Sequence, residues 1–271
     1  MIRVSFQGER GAYSEAAAIG FFNTEIETVP LPTFADVLES TQSDKTEYSI
    51  LPVENSIEGS VGESNDLLSE TTLNVVGEKY QKIQHCLIGF DSLEKIDTVY
   101  SHPQALGQCR KFIQKNNFKT ISTYDTAGSV KIIKELNKKN IACIASRQAS
   151  EIFGVPVISE DIADNSKNYT RFLILSKKKA DESEKDKTSI IFSIKHEPGA
   201  LHQIIEKFSE YGINLTKIES RPKKNTAWEY NFYVDFEGNE NNSKVKDMLK
   251  NIKEKTLFLK ILGSYPMAEN N

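Results

Sequence analysis

Cysteine is scarce in this chain of 271 residues: Cys86, Cys109 and Cys143 are the three, an odd number without CxxC spacing. That argues for a reducing compartment, and so a cytoplasmic location, and against both a disulfide framework and a zinc site. Histidine is equally thin. His85, His102, His196 and His202 are scattered, and neither HExxH nor a carboxylate cluster accompanies them, so no metal is expected. No apolar run approaches the roughly 20 residues of a membrane span, which removes a membrane partner. The alternating segment Ile2-Arg3-Val4-Ser5-Phe6 begins at once, with no basic or apolar leader before it, and no signal peptide is expected. Neither sign of charge dominates: 34 basic residues face 38 acidic ones, interleaved, for a net charge of −4. A nucleic-acid binder would carry a basic face, and no basic helix-turn-helix segment is present.

What is there is a soluble, α/β-patterned chain too long for one ordinary core, so two or three domains are expected. Through residue 176, short apolar strands alternate with helical patterns. Strands are expected near 2–6, 26–29, 48–51, 83–89, 97–101, 119–123, 141–145 and 169–176. Helices are expected near 14–22, 34–43, 59–69, 103–116, 126–138 and 147–153, their apolar residues recurring at three- and four-residue steps. The stretch 77–89 reads as a passage into a second unit and 169–176 as a return. The resulting picture is two α/β lobes around a cleft, the first about 1–78 plus 160–176 and the second about 79–159. Residues 177–187 hold one apolar side chain and read as a solvated linker. From 188 to 271 the rhythm changes to strand 188–195, helix 198–211 closed by Gly212, strands 214–221 and 228–236, helix 243–254 and strand 257–263. In the third strand Trp228, Tyr230, Phe232, Val234 and Phe236 alternate with polar neighbours, which buries one face. This βαββαβ order is that of a ferredoxin-like module.

Five junctions are rich in glycine, hydroxyl and amide groups, the residue types that hold ligands at strand ends and helix N-termini in open α/β sheets. Gly8-x-x-Gly11 lets backbone approach a ligand, but it is neither GxGxxG nor a P-loop, so no nucleotide cofactor is expected. Asn55 follows a strand and either holds a substrate carboxylate or hydroxyl or closes an Asx-turn. Ser101 sits near an N-cap, with Pro103 in the first turn. His102 beside it lacks the spaced nucleophile and acid of a Ser-His-Asp hydrolase. Asp125 or Thr126 caps the next helix. Thr170 and Arg171 read alone as a strand edge with a surface charge; read with the other four junctions they complete a polar pocket for a small anion.

Taken together, Gly8-x-x-Gly11-Ala12-Tyr13-Ser14, Pro52-Val53-Glu54-Asn55-Ser56, Ser101-His102-Pro103-Gln104-Ala105-Leu106, Asp125-Thr126-Ala127-Gly128-Ser129 and Asn168-x-Thr170-Arg171-Phe172 resemble the prephenate dehydratase family. Pro198-Gly199-Ala200-Leu201 and Glu219-Ser220-Arg221-Pro222 resemble that family's ACT domain. The resemblance covers nearly the whole chain in order and spacing. It implies a two-lobed, periplasmic-binding-protein-like catalytic domain over 1–176, the linker at 177–187 and an ACT domain over 188–271. It implies a cofactor-free lyase that converts prephenate to phenylpyruvate, with Thr170 catalytic and Ser14, Asn55, Ser56, Ser101, Gln104, Thr126, Ser129 and Arg171 binding substrate. Arg171 is a carboxylate clamp or a structural ion pair. L-Phenylalanine would bind at Gly199, Ala200 and Leu201 near Glu219, Ser220 and Arg221 of another subunit, in a homodimer or homotetramer. Ala12 departs from the Thr common in bacterial members and leaves arogenate open as the substrate. A non-catalytic, two-lobed anion receptor is the alternative from another class. Because the chain starts at its first strand, no chorismate mutase module is expected.

Overall fold

A computed structural model describes residues 1–223 and 229–268, so Trp228 of the expected alternation lies outside the described residues. By its internal contacts the chain divides into two compact units, residues 1–61 with 79–172, and residues 62–78 with 173–271.

The first unit opens with β1 (Ile2–Gln7), α1 (Tyr13–Phe21), β2 (Ile26–Leu31), α2 (Phe34–Gln42), β3 (Tyr48–Asn55) and the short β4 (Gly59–Ser60). Next in the chain come α3 (Gly62–Glu70) and β5 (Asn74–Lys82). The second lobe holds β6 (Cys86–Gly89), β7 (Thr98–Ser101), α4 (Pro103–Gln108), α5 (Arg110–Lys115), β8 (Lys119–Ser122), α6 (Gly128–Leu136), β9 (Ile141–Ala145), α7 (Arg147–Phe153) and β10 (Val157–Ser159). After it comes β11 (Tyr169–Ser176). The first sheet has the order β2-β1-β3-β11-β5, with β4 on β3; the second has the order β10-β6-β9-β7-β8. β1 lies parallel to both β2 and β3, and β7 parallel to both β8 and β9, the pairing that helical crossovers impose. Strands covered on both faces are apolar throughout. All five residues of β9, Ile141-Ala142-Cys143-Ile144-Ala145, are buried, and Cys143 and Ile144 belong to separate cores on opposite faces of that sheet.

Local chemistry sets the helix ends. Thr33 accepts the amide hydrogen of Asp36 to start α2, and Ser146 accepts that of Ala149 to start α7. Asn137 and Gly154, both left-handed, stop α6 and α7. Two features differ from the sequence expectation. The passage at 77–89 opens inside a nine-residue strand, β5, which begins at Asn74, before the chain turns into β6. The single helix expected over 103–116 is broken at Cys109. There Asp164 donates its backbone N–H to Gln108 O and accepts the Lys111 N–H with its carboxylate, replacing partners inside a continuous helix.

The second unit holds β12 (Asp186–Ser193), α8 (Ala200–Glu210), β13 (Leu215–Pro222), β14 (Tyr230–Glu237), α9 (Ser243–Lys255) and β15 (Phe258–Pro266), with sheet order β13-β14-β12-β15. Period-two alternation sorts its faces. Ile190, Phe192, Phe232, Val234 and Phe236 pack with Ile204, Phe208, Val245 and Met248 of α8 and α9. Each such fully buried aliphatic or Phe side chain stabilises the fold by about 1.5–3 kcal/mol. The opposite face is polar and engages residues 62–78. Lys187 pairs with Glu78 at 2.6 Å, both buried. Tyr233 donates to Asn65 O, and Lys260 donates to Leu68 O, Ser69 O and Thr71 O at the end of α3. Ser189 donates to Asp235 at 2.5 Å and also meets the Tyr265 hydroxyl. Asp186 and Lys187, at the end of the expected linker, are therefore ordered strand residues, Asp186 accepting from Ser183 and Asn239 and Lys187 paired with Glu78.

Candidate active site

Two clusters join the lobes of the first unit. One is made by the loop after β1. Gly8 and Gly11 have φ of 110° and 85°, where an L side chain is strained. They also approach the second lobe closely: a Cβ on Gly8 would stand 2.8 Å from Asp125 Oδ2, and one on Gly11 would stand 2.5 Å from the Ala149 Cα. Ser146 donates to Gly11 O, Tyr124 donates to Glu9, and the buried Glu15 accepts the Gly11 N–H. Asp125 accepts the Gly128 N–H at 2.6 Å and so begins α6. Burial raises the Asp125 carboxyl above its ordinary range, and that hydrogen bond opposes the rise.

The second cluster surrounds Thr170, where β3 ends and β11 begins. Ser56 donates to Lys167 O and accepts the Tyr169 N–H, which ties the two strand ends together. Asn55 Oδ1 accepts the N–H groups of Ile57 and Glu58, closing an Asx-turn. Its Nδ2 donates to Asn168 Oδ1 at 2.8 Å and to Thr170 Oγ1 at 3.0 Å. Asn168 Nδ2 in turn donates to Gln108 Oε1, which also meets His85 Nε2 at 2.8 Å. Gln108 Nε2 reaches the Glu58 carboxylate, and His85 Nδ1 reaches the Tyr13 hydroxyl. Burial pulls the His85 imidazole below its ordinary range and pushes the Tyr13 phenol well above its own. Both are neutral near pH 7. Thr170 is buried, its oxygen accepts from Asn55, and its hydroxyl hydrogen meets no protein acceptor among the described residues.

The expected binding residues divide by what their hydrogens already do. Ser101 is buried and donates to Ile144 O, and Ser129 is buried and donates to Thr126 O. With Asn55 and Ser56, these have no proton left for an anion. Ser14, Gln104 and Thr126 make no side-chain hydrogen bond among the described residues, and Gln104 is exposed. His102, not Ser101, caps α4, accepting the Gln104 N–H at Nδ1. Arg171 is buried with its guanidinium 4.0 Å from Glu54. Burial pushes the Cys109 and Cys143 thiols up to about 12, which leaves them no nucleophilic role. Gln108, Asn168, His85, Glu58 and Tyr13 were not among the expected site residues. A signal for Gln108 existed: Ala105, Gln108 and Cys109 share one buried helical face, whereas Gln104 lies on the other.

In the second unit Gly199, with φ of 82°, precedes Ala200 at the start of α8, where no side chain caps the helix. Leu201 packs on the core formed by α8, α9 and the sheet. Glu219 pairs with Lys217, Ser220 is exposed on the edge strand β13, and Arg221 reaches Asp66 at 3.4 Å. Among the described residues no group of three or more His, Cys, Asp or Glu could hold a metal ion, and no helix is long and apolar enough to cross a membrane.

The architecture is that of a two-lobed α/β protein whose polar residues gather where its lobes meet, followed by a ferredoxin-like module. Residues 4–180 match the family model "Prephenate dehydratase" and residues 188–254 match "ACT domain". The chain belongs to the prephenate dehydratase family. It is 40% identical over 270 residues to a bifunctional chorismate mutase/prephenate dehydratase of Aquifex aeolicus, covering 98% of this chain and 74% of that protein. It is 38% identical to a prephenate dehydratase of Methanocaldococcus jannaschii, covering 96% of each. A solved prephenate dehydratase from Arthrobacter aurescens, in complex with L-Phe, matches with a TM-score of 0.89 at 28% identity, covering 98% of this chain and 90% of that one.

Proposed function

We propose that this chain carries out the decarboxylative dehydration of prephenate to phenylpyruvate in L-phenylalanine biosynthesis, with Thr170 as the proton donor. The bond from ring carbon to carboxylate breaks and its electron pair enters the ring, expelling the hydroxyl at the opposite ring carbon. That hydroxyl leaves as water once it receives a proton, and the aromatic ring makes the reaction strongly downhill. The catalyst must therefore orient a dianion and supply one well-placed hydrogen, a contribution of about 10²–10⁴ in rate. The single observation that carries the assignment is the Thr170 hydroxyl: its oxygen is held by Asn55 and its hydrogen is uncommitted among the described residues. The Asn55 donor also stabilises negative charge developing on Oγ1, which strengthens a weak acid in a buried setting.

In this reading Ser14, Gln104, Thr126 and the buried Arg171 hold the substrate's two carboxylates. Asn55, Ser56, Ser101 and Ser129 act on substrate through the elements they fix. The catalytic domain is proposed to span 1–176, the linker 177–187 and the ACT domain 188–271. L-Phenylalanine would meet the uncapped N-terminus at Gly199, Ala200 and Leu201, near Glu219, Ser220 and Arg221 of another subunit. The enzyme is proposed to be a cytoplasmic homodimer or homotetramer. The test is incubation with prephenate while following phenylpyruvate absorbance, with and without L-phenylalanine. Thr170→Ser should retain most turnover and Thr170→Ala should lose it; near-normal kcat in Thr170→Ala would end the assignment. Arogenate is the second reading, favoured by Ala12, and kcat/KM measured side by side on both compounds discriminates them.

A further inference from the structure

The amide groups around Thr170 leave no freedom about which atom donates. Asn55 Oδ1 is occupied by two backbone N–H groups, so its Nδ2 must face Asn168 and Thr170. Asn168 then presents Oδ1 to Asn55 and Nδ2 to Gln108. The far side of Gln108 gives the same answer independently, because the Glu58 carboxylate can only accept and so takes Gln108 Nε2. Gln108 Oε1 is thereby fixed toward both Asn168 and His85. Facing an acceptor 2.8 Å away, His85 Nε2 must carry a hydrogen. At the other side of the ring, Nδ1 lies 3.0 Å from the Tyr13 oxygen, but that hydroxyl donates its one hydrogen to Gln84 O at 2.6 Å, so the tautomer is set from the Gln108 side; the two rings stand edge to face.

We propose that His85, set as the Nε2–H tautomer by Gln108, is a positioning residue for Thr170. The inference rests on the reading of Thr170 as the donor and deepens it. The Nδ1–H tautomer would set two acceptor lone pairs against each other at Gln108. Turning Gln108 over would relieve that contact but set its oxygen against Glu58 and its amide hydrogens against Asn168. Turning Asn168 over passes the conflict to Asn55, whose reversal breaks its turn and offers Thr170 an acceptor in place of a donor. The Thr170 hydrogen would then point inward, away from a leaving group. His85 thus decides, across three side chains, which way the threonine proton faces. Burial favours the neutral ring that this arrangement needs.

The direct measurement is nitrogen NMR of the intact chain labelled in histidine, which reads each imidazole nitrogen as protonated or bare. The expected spectrum has His85 Nε2 protonated and Nδ1 bare, in the parent and in Thr170→Ala alike. A protonated Nδ1 with a bare Nε2 overturns the proposal and needs no variant to fold. The kinetic arm compares His85→Leu with His85→Gln, whose amide can still donate to Gln108. His85→Leu should lower kcat by about tenfold or more with KM little changed, and His85→Gln should recover most of it. A loss confined to KM, or His85→Gln falling as far as His85→Leu, overturns the proposal. If Thr170→Ala keeps its turnover while the tautomer is as expected, the reading of Thr170 fails and the tautomer assignment stands.

Discussion

Buried polar chains occur in both units, and they are built to opposite ends. In the ACT region the chain is closed: Ser189 joins Asp235 to Tyr265, and Lys187 is matched by Glu78. Around Thr170 the chain runs through Tyr13, His85, Gln108, Asn168 and Asn55 and stops at one hydroxyl hydrogen that is uncommitted among the described residues. A closed network holds elements in place, and removing a member should cost stability. A network left open at one end also points a proton outward, and removing that end should cost rate. The same residue types serve both purposes, and the count of donors against acceptors separates them.

The strongest way to break this comparison is Thr170→Val, which keeps shape and removes the open end. Its kcat should fall by about 10²–10⁴ while its urea midpoint moves little; a large midpoint shift with intact kcat would erase the distinction. Next comes the closed network. Lys187→Met removes the buried cation that Glu78 pairs with and should lower unfolding free energy by about 3–5 kcal/mol, whereas the double variant Lys187→Met, Glu78→Leu should recover most of that. Denaturant titration of the three proteins decides. Gly11→Ala should cost about 1–3 kcal/mol by adding a methyl at positive φ against Ala149, read as a lowered Tm. The smallest effect concerns pH. Because the folded chain lowers the His85 pKa, the unfolded chain takes a proton first on acidification below about 6.5. Stability should therefore fall with pH from about 6.5 until the folded-state value is reached. His85→Gln should flatten that part of the stability curve.

Composition and periodicity made much of this legible. The alternation in β14 and the three- and four-step pattern in α6 mark which faces are covered, and hydroxyl- and glycine-rich junctions mark where the lobes meet. Asn55 and Thr170 were both visible as chemistry-bearing positions. Their division of labour was not, because it depends on donor counts that only tertiary contacts supply. His85 and Gln108 are 23 residues apart, and Gln108 and Asn168 are 60 apart. No local pattern records such meetings. The break at Cys109 was hidden for the same reason: its cause, Asp164, arrives from another part of the chain. Lys187 looked like linker because a lone lysine in a charged run gives no sign of a buried partner.

The glycine loop after β1 has a mechanical consequence. Two chain passages, one between β5 and β6 and the other between β10 and β11, would by themselves let the lobes swing like the covers of a book. At Gly11 bare backbone meets the start of α7 with no room for a methyl group, and Ser146 and Tyr124 clasp the same margin from across. The covers are fastened there, and any swing along that edge must first undo the clasp.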